Sequence, residues 1–518
     1  MSKKKQQKIS QPKIAPMTPR QQVIGFYLTI MFGVFPWFCS DGFFKIRHDR
    51  YYFFLTVSIM LLLFWGITIL AGDRKDSIGK LNITDWAMLG FLAVCILSTI
   101  FSIDPKAALL GSVGRNNGLL LMAVYVGIYF VVSRNGRPGP VVFAALGVIS
   151  AFVSLVAVLN FFSLDPLNMV KALSTSDQKI FFSTIGNKNL LSGYLCVTIP
   201  VLTVLFVEDS RLWLRKLAFV CLIPGFPALM AADSDSGLLG LGLFAAVYLV
   251  RYIRHPGKLK RFFLILTLML LSTRLLLLPL LLNNQLKTKN ISQLQLLFVT
   301  NNKSLCLLLF LAVVTTLLYL LDHKKPDLTL PKAVHFAAAS VLVAGLIAVI
   351  GAMIYYTKNP QIPLEGLGTY LRLDDYWGTY RGFMWKKSLE IFQDFNIWRK
   401  LFGSGPDTFV YMFQPYCAAL EEVSGRWISS TNAAHNEYLN YLITVGLLGA
   451  GAYVTALISG IIYCFKGLKK NPTGTIYCAA VICYGTQALV SIAQPITTPL
   501  MIIFLALCIG SERNQPHP

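Results

Sequence analysis

Long apolar runs alternate with short polar segments along most of the chain. The runs lie at about 23–38, 51–71, 86–103, 117–133, 140–163, 190–207, 214–232, 236–252, 262–282, 304–321, 333–356, 438–465, 474–493 and 497–510. Most of them approach the ~20 apolar residues that a helix needs to cross a bilayer. The pattern therefore predicts an all-α, polytopic transmembrane helical bundle with about 12–14 spans.

The polar segments divide this bundle into parts. We expect a disordered basic cytoplasmic tail at 1–22, an N-terminal transmembrane bundle at 23–356, a large extracytoplasmic loop at 357–434, C-terminal transmembrane helices at 435–510 and a short cytoplasmic tail at 511–518. The first apolar run has no small-residue cleavage site, so we do not expect a removable signal peptide.

Within the large loop, apolar residues at helical spacing predict an amphipathic helix that lies near the outer membrane surface. These residues are Met384, Trp385, Leu389 and Phe392, within the stretch from Tyr380 to Phe392.

Composition supports a membrane protein and excludes several other classes. Of the 518 residues, 55% are hydrophobic and 14% are charged, whereas an ordinary soluble domain carries roughly a quarter charged residues. Soluble enzymes, DNA-binding proteins and secreted disulfide scaffolds are therefore excluded. The ten cysteines lie almost entirely inside apolar runs, where a thiol behaves as a small hydrophobic group, and no cysteine spacing indicates zinc or a redox pair.

The formal net charge is +22. In a soluble protein this charge would suggest a nucleic-acid partner. In a membrane protein, the distribution of Lys and Arg between the two sides first indicates the orientation of the chain in the membrane. If the N-terminal tail is cytoplasmic, the tail and inside loops carry roughly 26 Lys and Arg, against about 11 on the short outside loops. We therefore expect the loop 357–434 to face outside. We expect membrane lipids as partners and no nucleic acid.

His435 lies where the large loop returns to the membrane, in the sequence Ser-Ser-Thr-Asn-Ala-Ala-His-Asn-Glu-Tyr-Leu. We expect Asn432 or Thr431 to cap the following helix, with His435 in its first turn. A histidine there titrates near neutrality and can serve as a general base, and the helix N-terminus beside it favours anionic groups such as phosphate. From position alone, an interfacial histidine that only forms hydrogen bonds is the simpler interpretation.

Three polar stretches on the expected outside carry cations and amides. They contain Arg115 at the mouth of a span, Arg381 at the start of the amphipathic helix, and Asn187, Lys188 and Asn189 before another span. Arginine presents donors that match phosphate oxygens, and the positive-inside bias does not require cations on this side. The alternatives are arginines that bind lipid headgroups and an ordinary polar loop.

Asp233 and Asp235 lie two residues apart on an outside turn and allow a metal hypothesis, since divalent cations prefer oxygen ligands. No further acidic residue can be assigned to such a site from sequence, so we favour a turn in which an Asp or Ser caps the next helix. Arg274 lies inside an apolar run, where it requires a buried partner that the sequence does not identify.

Four stretches together resemble the O-antigen ligase/polymerase superfamily. They are Gly114-Arg115-Asn-Asn-Gly118-Leu119, Ile185-Gly186-Asn187-Lys-Asn189, Arg381 with Trp385 and the Gly403-Ser-Gly405 turn, and His435-Asn436-Glu437-Tyr438-Leu439 followed by Gly446-Leu-Leu-Gly449. The resemblance implies a GT-C-like, all-helical glycosyltransferase in a bacterial cytoplasmic membrane, with its active site facing outside.

The resemblance also implies the reaction and the residues that carry it. The donor would be a polyprenyl-diphosphate-linked glycan and the acceptor a saccharide, a lipid or a protein. His435 would be the general base, Arg115 and Arg381 would bind the diphosphate, and the remaining substrate-binding residues would be Asn187, Lys188, Asn189 and Asn436. We expect no metal and no cofactor, because arginines can balance the charge that develops on the leaving diphosphate.

The chain departs from the family pattern at two points. Ser234-Asp235-Ser236-Gly237 lacks the arginine that commonly follows a serine there, so Arg274 or another cation would replace it, and Trp398-Arg399-Lys400-Leu401 lacks the usual proline before Gly403. Two other functions stay open. One is a lipid-linked sugar transporter or flippase, although repeated halves and broken midplane helices are not visible. The other is a metal-dependent transferase that uses Asp233 and Asp235.

Overall fold

The computed structural model describes residues 17–40, 45–71, 79–112, 115–170, 172–283, 285–467 and 473–513. These residues are almost entirely helical, and their two short strands, β1 (Phe181–Phe182) and β2 (Gly186–Asn187), pair antiparallel. The predicted all-α fold is therefore confirmed. Most of the expected tail 1–22, the end of the tail 511–518 and Gly114 lie outside the described residues.

The first half of the chain contains twelve helices. They are α1 (Pro19–Gly33), α2 (Ile46–Leu70), α3 (Ile83–Ile100), α4 (Pro105–Leu110), α5 (Leu119–Asn135), α6 (Pro140–Phe161), α7 (Thr175–Ile180), α8 (Lys188–Glu208), α9 (Leu212–Leu222), α10 (Gly225–Ala231), α11 (Asp235–Tyr252) and α12 (Pro256–Arg274).

Twelve more helices follow within the described residues. They are α13 (Leu278–Leu282), α14 (Gln293–Val299), α15 (Asn302–Lys324), α16 (Lys332–Lys358), α17 (Trp377–Asp394), α18 (Ile397–Phe402), α19 (Phe409–Phe413), α20 (Cys417–Ser424), α21 (Glu437–Thr444), α22 (Gly446–Gly467), α23 (Gly474–Gln487) and α24 (Thr498–Arg513).

The apolar runs predicted from the sequence all fall on these helices. Nine helical segments in the described part of the chain are long and apolar enough to cross a membrane: Ile46–Leu70, Ile83–Ile100, Pro140–Phe161, Lys188–Glu208, Leu212–Ala231, Pro256–Leu282, Asn302–Lys324, Lys332–Lys358 and Gly446–Gly467. This number is below the predicted 12–14 because α1, α5, α23 and α24 have only 14 to 17 residues, and α11 carries charged residues in both end turns.

Helix α8 forms the centre of the bundle, because every position of its 18-residue apolar window is buried. It packs on α6, α9, α11 and α23, and α24 packs in turn on α5, α22 and α23. A helix that is apolar and buried on all sides belongs in the core of a bundle. By contrast, α16 has no buried residue in its window and lies at the edge against α11. The N-terminus of α8 therefore opens near the middle of one end of the bundle.

The loop that follows α16 folds around a second, smaller apolar core. Helices α17, α19 and α20 contribute Phe383, Ile391, Phe409, Phe413 and Leu420, and the chain around α21 closes this core with Ala434 and Ile443. The loop is thus a packed unit that is continuous with the turn carrying His435.

Helix α17 confirms the predicted amphipathic helix but corrects its buried face. The backbone of Gly378, Thr379 and Tyr380 is left-handed, so the regular helix begins at Arg381. Met384 and Ser388 are buried, whereas Leu389, which was expected on the apolar face, is 48% exposed. The buried face packs on the loop's own core, and α17 therefore does not offer that face to a membrane.

Ion pairs collect at the end of the bundle away from the N-terminus of α8, which we call the opposite end. Arg134 pairs with Asp85 at 3.0 Å, and Lys258 pairs with Glu208 at 3.1 Å. Arg513, on the last helix, also contacts Asp85. These residues lie in or beside segments that the charge bias predicts to be inside. In the structure they lie together at one end of the bundle. Which end faces the cytoplasm stays a prediction.

Candidate active site

Two cavities meet at one wall made of Asn189, Arg381 and His435, at the end of the bundle where α8 begins. The first, of about 220 Å³, has apolar sides that include Ile185, Leu190, Val490, Ile492 and Ile496, and we call it the apolar cavity. The second, of about 500 Å³, is lined largely by polar groups that include Lys179, Lys188, Asp233, Asp235, Asn290 and Arg426, and we call it the polar cavity. Three residues predicted from the sequence therefore separate an apolar space from a polar one.

His435 precedes α21 instead of lying in its first turn. Asn436 is the N-cap, because its side chain accepts a hydrogen bond from the Leu439 amide at 3.0 Å. The predicted caps, Asn432 and Thr431, are therefore wrong. His435 has a left-handed backbone with φ of 51°, which a helix cannot accommodate. Asn436 was predicted to bind substrate, but its side-chain oxygen already accepts the capping hydrogen bond.

The turn that carries His435 is fixed by the loop. Trp385 on α17 donates its indole N–H to the carbonyl of Ala434 at 3.0 Å, and Asn440 accepts from the Ala434 amide at 3.3 Å. Ala433 and Ala434 are buried. Trp385 lies one helical turn after Arg381, so a single helix holds both the arginine and the backbone beside the histidine in place.

The imidazole of His435 is neutral at physiological pH and free to react. Burial, together with the positive charges of Arg381 and Arg115, lowers the pKa of His435 from its usual 6.5 to about 3. Among the described residues, no group makes a hydrogen bond to its ring. The ring thus presents an unprotonated nitrogen to the two cavities.

Arg381 is largely buried and also faces both cavities. Burial lowers the pKa of its guanidinium, which the charge of Asp235 and the nearby Tyr370 partly oppose. Within the described chain it makes no hydrogen bond or ion pair, so its donors are available to a ligand. Gly382 lets this turn close, because a Cβ there would approach the Asp374 carbonyl oxygen to 1.8 Å.

Arg115 lies outside the cavity walls but close to them. It is buried, and its Nε has no hydrogen-bond partner among the described residues. Its charge reaches His435, as the pKa of His435 indicates, and also Asp407. Asp407 accepts hydrogen bonds from the Ser112 amide at 2.7 Å and from the Asn117 amide at 3.0 Å. Burial raises the pKa of Asp407, and Arg115 opposes this rise.

The N-terminus of α8 brings the three other predicted residues to the same place. Asn187 caps the helix by accepting from the Asn189 amide at 2.8 Å, and it lines the apolar cavity. Lys188 pairs with Asp233 at 3.1 Å in the polar cavity. Asn189 accepts from Ser234 at 2.9 Å. The free amides and the dipole of this 21-residue helix favour an anion beside it.

The Asp233-Ser-Asp235 turn organises the polar cavity through protein donors. Asp233 accepts from the Ser292 amide at 2.8 Å as well as from Lys188, and Asp235 accepts from Gln295 at 3.0 Å and Tyr370 at 2.7 Å. In the described part of the chain, no group of three His, Cys, Asp or Glu residues is arranged to hold a metal ion. Ser234 stands at the N-cap of α11 but makes no side-chain capping hydrogen bond, so the predicted cap is wrong and the turn is held by these donors instead.

Arg274 does not replace the arginine missing near Ser234. It donates to the Asn301 carbonyl at 2.8 Å and to Ser304 at 2.6 Å, outside the cavities. The structure instead brings Arg47 to the apolar cavity and Arg426 to the polar cavity, two cations that the sequence did not single out. Arg47 lies in a segment predicted to be outside, so the same argument that selected Arg115 could have found it.

The predicted glycine turn anchors the loop to the bundle. The Ser404 amide donates to the Ile443 carbonyl at 3.0 Å, and Ser102, after α3, donates to the Ser404 carbonyl at 2.9 Å. Gly403 is required there, because a Cβ would approach the Thr444 carbonyl carbon to 2.3 Å. The turn therefore holds α21, and with it the His435 turn, against α3.

Left-handed backbone at non-glycine residues concentrates around this site. Of nine such residues in the described chain, six lie on the cavity walls or next to Arg115 and Arg381: Asn116, Asp233, Thr379, Tyr380, Asp407 and His435. Each costs on the order of 1–3 kcal/mol and persists only where the surrounding structure enforces it, which is common at active sites. The strained backbone therefore coincides with the candidate site.

Comparison with known proteins agrees with this geometry. Residues 290–454 match the O-antigen ligase family. The match covers about a third of the chain and includes Arg381, His435 and Asn436. No curated protein matches the chain. The predicted resemblance is thereby confirmed, and with the apolar helices it indicates an integral membrane protein. The stretches at 114–119 and 185–189 lie outside the match, and their roles stay predictions.

Proposed function

We propose that this integral membrane glycosyltransferase of the O-antigen ligase superfamily transfers a glycan from a polyprenyl diphosphate to an acceptor hydroxyl, with His435 as the general base and without a metal. The observation that carries the proposal is the wall between the two cavities. His435 and Arg381 face both of them, so one base and one cation can act on two substrates at once. We further propose a bacterial cytoplasmic membrane as the location, with this site facing outside.

The apolar cavity suits the lipid end of the donor. Its aliphatic sides can contact the first prenyl units, while Arg47, Arg381 and the amides before α8 lie where a diphosphate would be held. Arginine forks match phosphate oxygens and can neutralise the charge that develops on the leaving group. Asn187 and Asn189 would fix the orientation of the phosphate or the first sugar.

The polar cavity suits the acceptor. An acceptor hydroxyl there would donate its proton to the imidazole nitrogen of His435 as its oxygen attacks the anomeric carbon of the donor. The bond from that carbon to the diphosphate oxygen breaks, and the polyprenyl diphosphate leaves with the electron pair. Direct displacement of this kind forms a new glycosidic bond with inversion at the anomeric carbon.

The two neighbouring arginines make the basicity of His435 depend on whether the donor is bound. In the free site, burial and, to a smaller extent, the charges of Arg381 and Arg115 keep the pKa of His435 low, so the ring is unprotonated but weakly basic. A bound diphosphate offsets both charges, so donor binding raises the proton affinity of His435 when a base is needed. The base would therefore be stronger in the loaded site than in the free site.

The proposal is tested by reconstitution of the full chain with purified polyprenyl-linked oligosaccharide and sizing of the product. His435→Ala should abolish transfer, while His323→Ala, on the exposed end of α15, serves as the matched control and should leave it unchanged. In cells, the donor should still reach the outer face in the His435→Ala strain. Accumulation of the donor on the inner face would instead support a transporter or flippase.

The same assay distinguishes the remaining alternatives. A ladder of products indicates a polymerase, and a single addition to a foreign acceptor indicates a ligase. Full activity in EDTA is expected, because Asp233 and Asp235 already have protein donors on their oxygens. Loss of activity in EDTA with recovery on adding Mg²⁺ would support the metal-dependent transferase.

A further inference from the structure

A third cavity continues the polar cavity away from His435. It has a volume of about 500 Å³, and Lys179 and Asn290 line both spaces. The two spaces are therefore adjacent, and we call them together the extended cleft, in which His435 lines the polar cavity and Lys287 lines the third cavity. Each part falls within the ~300–1,000 Å³ that is usual for small-molecule pockets, so the whole can hold more than one sugar.

The outer part of the cleft carries positive charge that the protein does not balance. Lys179 and Lys287 make no hydrogen bond or ion pair with a described residue. The one carboxylate on this wall, Asp165, accepts the amides of Met169 at 3.0 Å and Val170 at 2.8 Å. Lys289 is held by the Phe181 carbonyl at 2.7 Å.

The inner part of the cleft repeats this imbalance. Lys188 is matched by Asp233, and the charge of Asp235 acts on Arg381 without contact, whereas the side chain of Arg426 has no hydrogen-bond or ion-pair partner among the described residues. The walls of the outer part also offer amides and hydroxyls, among them Thr175, Gln178 and Asn290. Such groups suit sugar hydroxyls, and free cations suit a saccharide that carries carboxylates or phosphates.

We propose that the extended cleft binds the acceptor as an extended acidic saccharide, with its acidic groups near Lys179 and Lys287 and its terminal hydroxyl at His435. The inference rests on the proposed function for the identity of the acceptor site. It makes the acceptor a glycan of several residues instead of a protein or a lipid core.

The test measures binding without turnover, on the full chain in phosphatidylcholine nanodiscs. The probes are a hyaluronan tetrasaccharide, which carries carboxylates, and its carboxyl-reduced, neutral counterpart. The wild-type protein should bind the acidic probe more tightly, and Lys179→Gln with Lys287→Gln should weaken that binding about 3- to 10-fold, as two exposed ionic contacts would. Binding of the neutral probe should not change.

Two further variants separate charge from folding and position. Lys179→Arg with Lys287→Arg should keep the preference for the acidic probe. Lys303→Gln, an exposed lysine at the start of α15 outside the cleft, is the matched control and should bind both probes as the wild type does. Raising the salt from 0.01 M to 1 M shortens the screening length from about 30 Å to about 3 Å, so the preference should disappear.

Equal binding of the two probes to the wild-type protein, or unchanged binding in the double glutamine variant, would overturn the proposal. So would displacement of the acidic probe from the wild-type protein when phosphatidylglycerol is added to the nanodisc, because lysines that bind lipid headgroups would then be occupied by lipid. His435→Ala should still bind the acidic probe. If His435→Ala also retained transfer, the proposed function would fail while the binding result would stand.

Discussion

At the opposite end of the bundle, buried charges form ion pairs with other side chains. At the end that holds the two cavities, two arginines have no such partner among the described residues. Asp85 contacts both Arg134 and Arg513 and accepts a hydrogen bond from Tyr129, and Glu208 contacts Arg251 and Lys258. The guanidinium groups of Arg115 and Arg381 are also removed from most of the solvent, yet they make no hydrogen bond or ion pair with the described residues. A buried charge without a partner is costly unless a ligand supplies one. If the proposed function holds, the two ends separate charges that stabilise the fold from charges that are available to a substrate.

Removing Arg381 should break function without breaking the fold. Arg381→Ala should lower kcat by about 10²–10³-fold, because one positioned donor to the developing charge is lost. Its thermal stability should be unchanged or slightly higher, since a desolvated cation disappears. The measurement is transfer by the reconstituted chain together with thermal unfolding in nanodiscs.

Arg381→Lys sharpens the same test, because lysine keeps the charge but not the planar fork. It should recover part of kcat. Full recovery would mean that only charge is needed at this position, and a large fall in the unfolding temperature of Arg381→Ala would make the residue a structural one.

Removing Arg134 should give the reverse pattern. Its partner Asp85 is fully buried, so Arg134→Ala should lower the free energy of unfolding by about 3 kcal/mol, with Arg513 and Tyr129 limiting the loss. Transfer per folded molecule should stay near the wild-type value, since this pair lies at the other end of α5 from Arg115. Thermal unfolding and activity normalised to folded protein give the two readouts. A fall in normalised activity equal to that of Arg381→Ala would contradict the comparison.

A third variant probes how the loop holds the histidine. Trp385→Phe keeps an aromatic side chain, although a smaller one, but removes the N–H that binds the Ala434 carbonyl, so it should cost at least about 1 kcal/mol of stability and lower kcat about tenfold through displacement of the base. The KM for the acceptor should change little, because Trp385 does not line the polar cavity. Trp398→Phe, an exposed tryptophan on α18, is the control and should have no effect on kcat.

The helices and part of the candidate site could be predicted from the sequence alone. The apolar runs located each long helix because length and hydrophobicity alone determine whether a segment crosses a membrane. Arg381 was found because a cation there departs from the charge bias of its side, Asn189 because it lies in an amide-rich turn before a span, and His435 because it lies where the loop returns to the membrane. The cap at Asn436 was missed because Thr431, Asn432 and Asn436 are all suitable capping residues, and the choice depends on contacts such as Trp385 with Ala434.

Other residues could not be found without tertiary structure. Asp407 is far along the chain from Ser112, Arg115 and Asn117, and nothing local shows that it binds their turn. Arg426 and Lys179 reach one cavity from separate segments. Arg274 looked like a candidate because its sequence surroundings are apolar, but its partners Asn301 and Ser304 lie in the next long helix and its cap. Charge bias can therefore indicate candidate site residues, whereas tertiary packing determines which of them line the same cavity.

The smallest expected effect is a shift in the pH profile, and it concerns the unmatched charge of Arg115. Because Arg115 and Arg381 lower the pKa of His435, the acid limb of kcat/KM, which reports the free enzyme, should lie well below the usual 6.5 of histidine. Arg115→Gln removes one of these positive charges, so the pKa of His435 should rise and the acid limb should move to higher pH. The plateau rate should fall modestly, because Arg115 lies outside the cavity walls. The profile is measured on the reconstituted chain from about pH 2.5 to pH 8, so that it includes the expected acid limb, with Arg134→Gln as the matched control at the opposite end. An acid limb that stays in place in Arg115→Gln, or that shifts equally in Arg134→Gln, would mean that the field of the unmatched arginines does not govern the base.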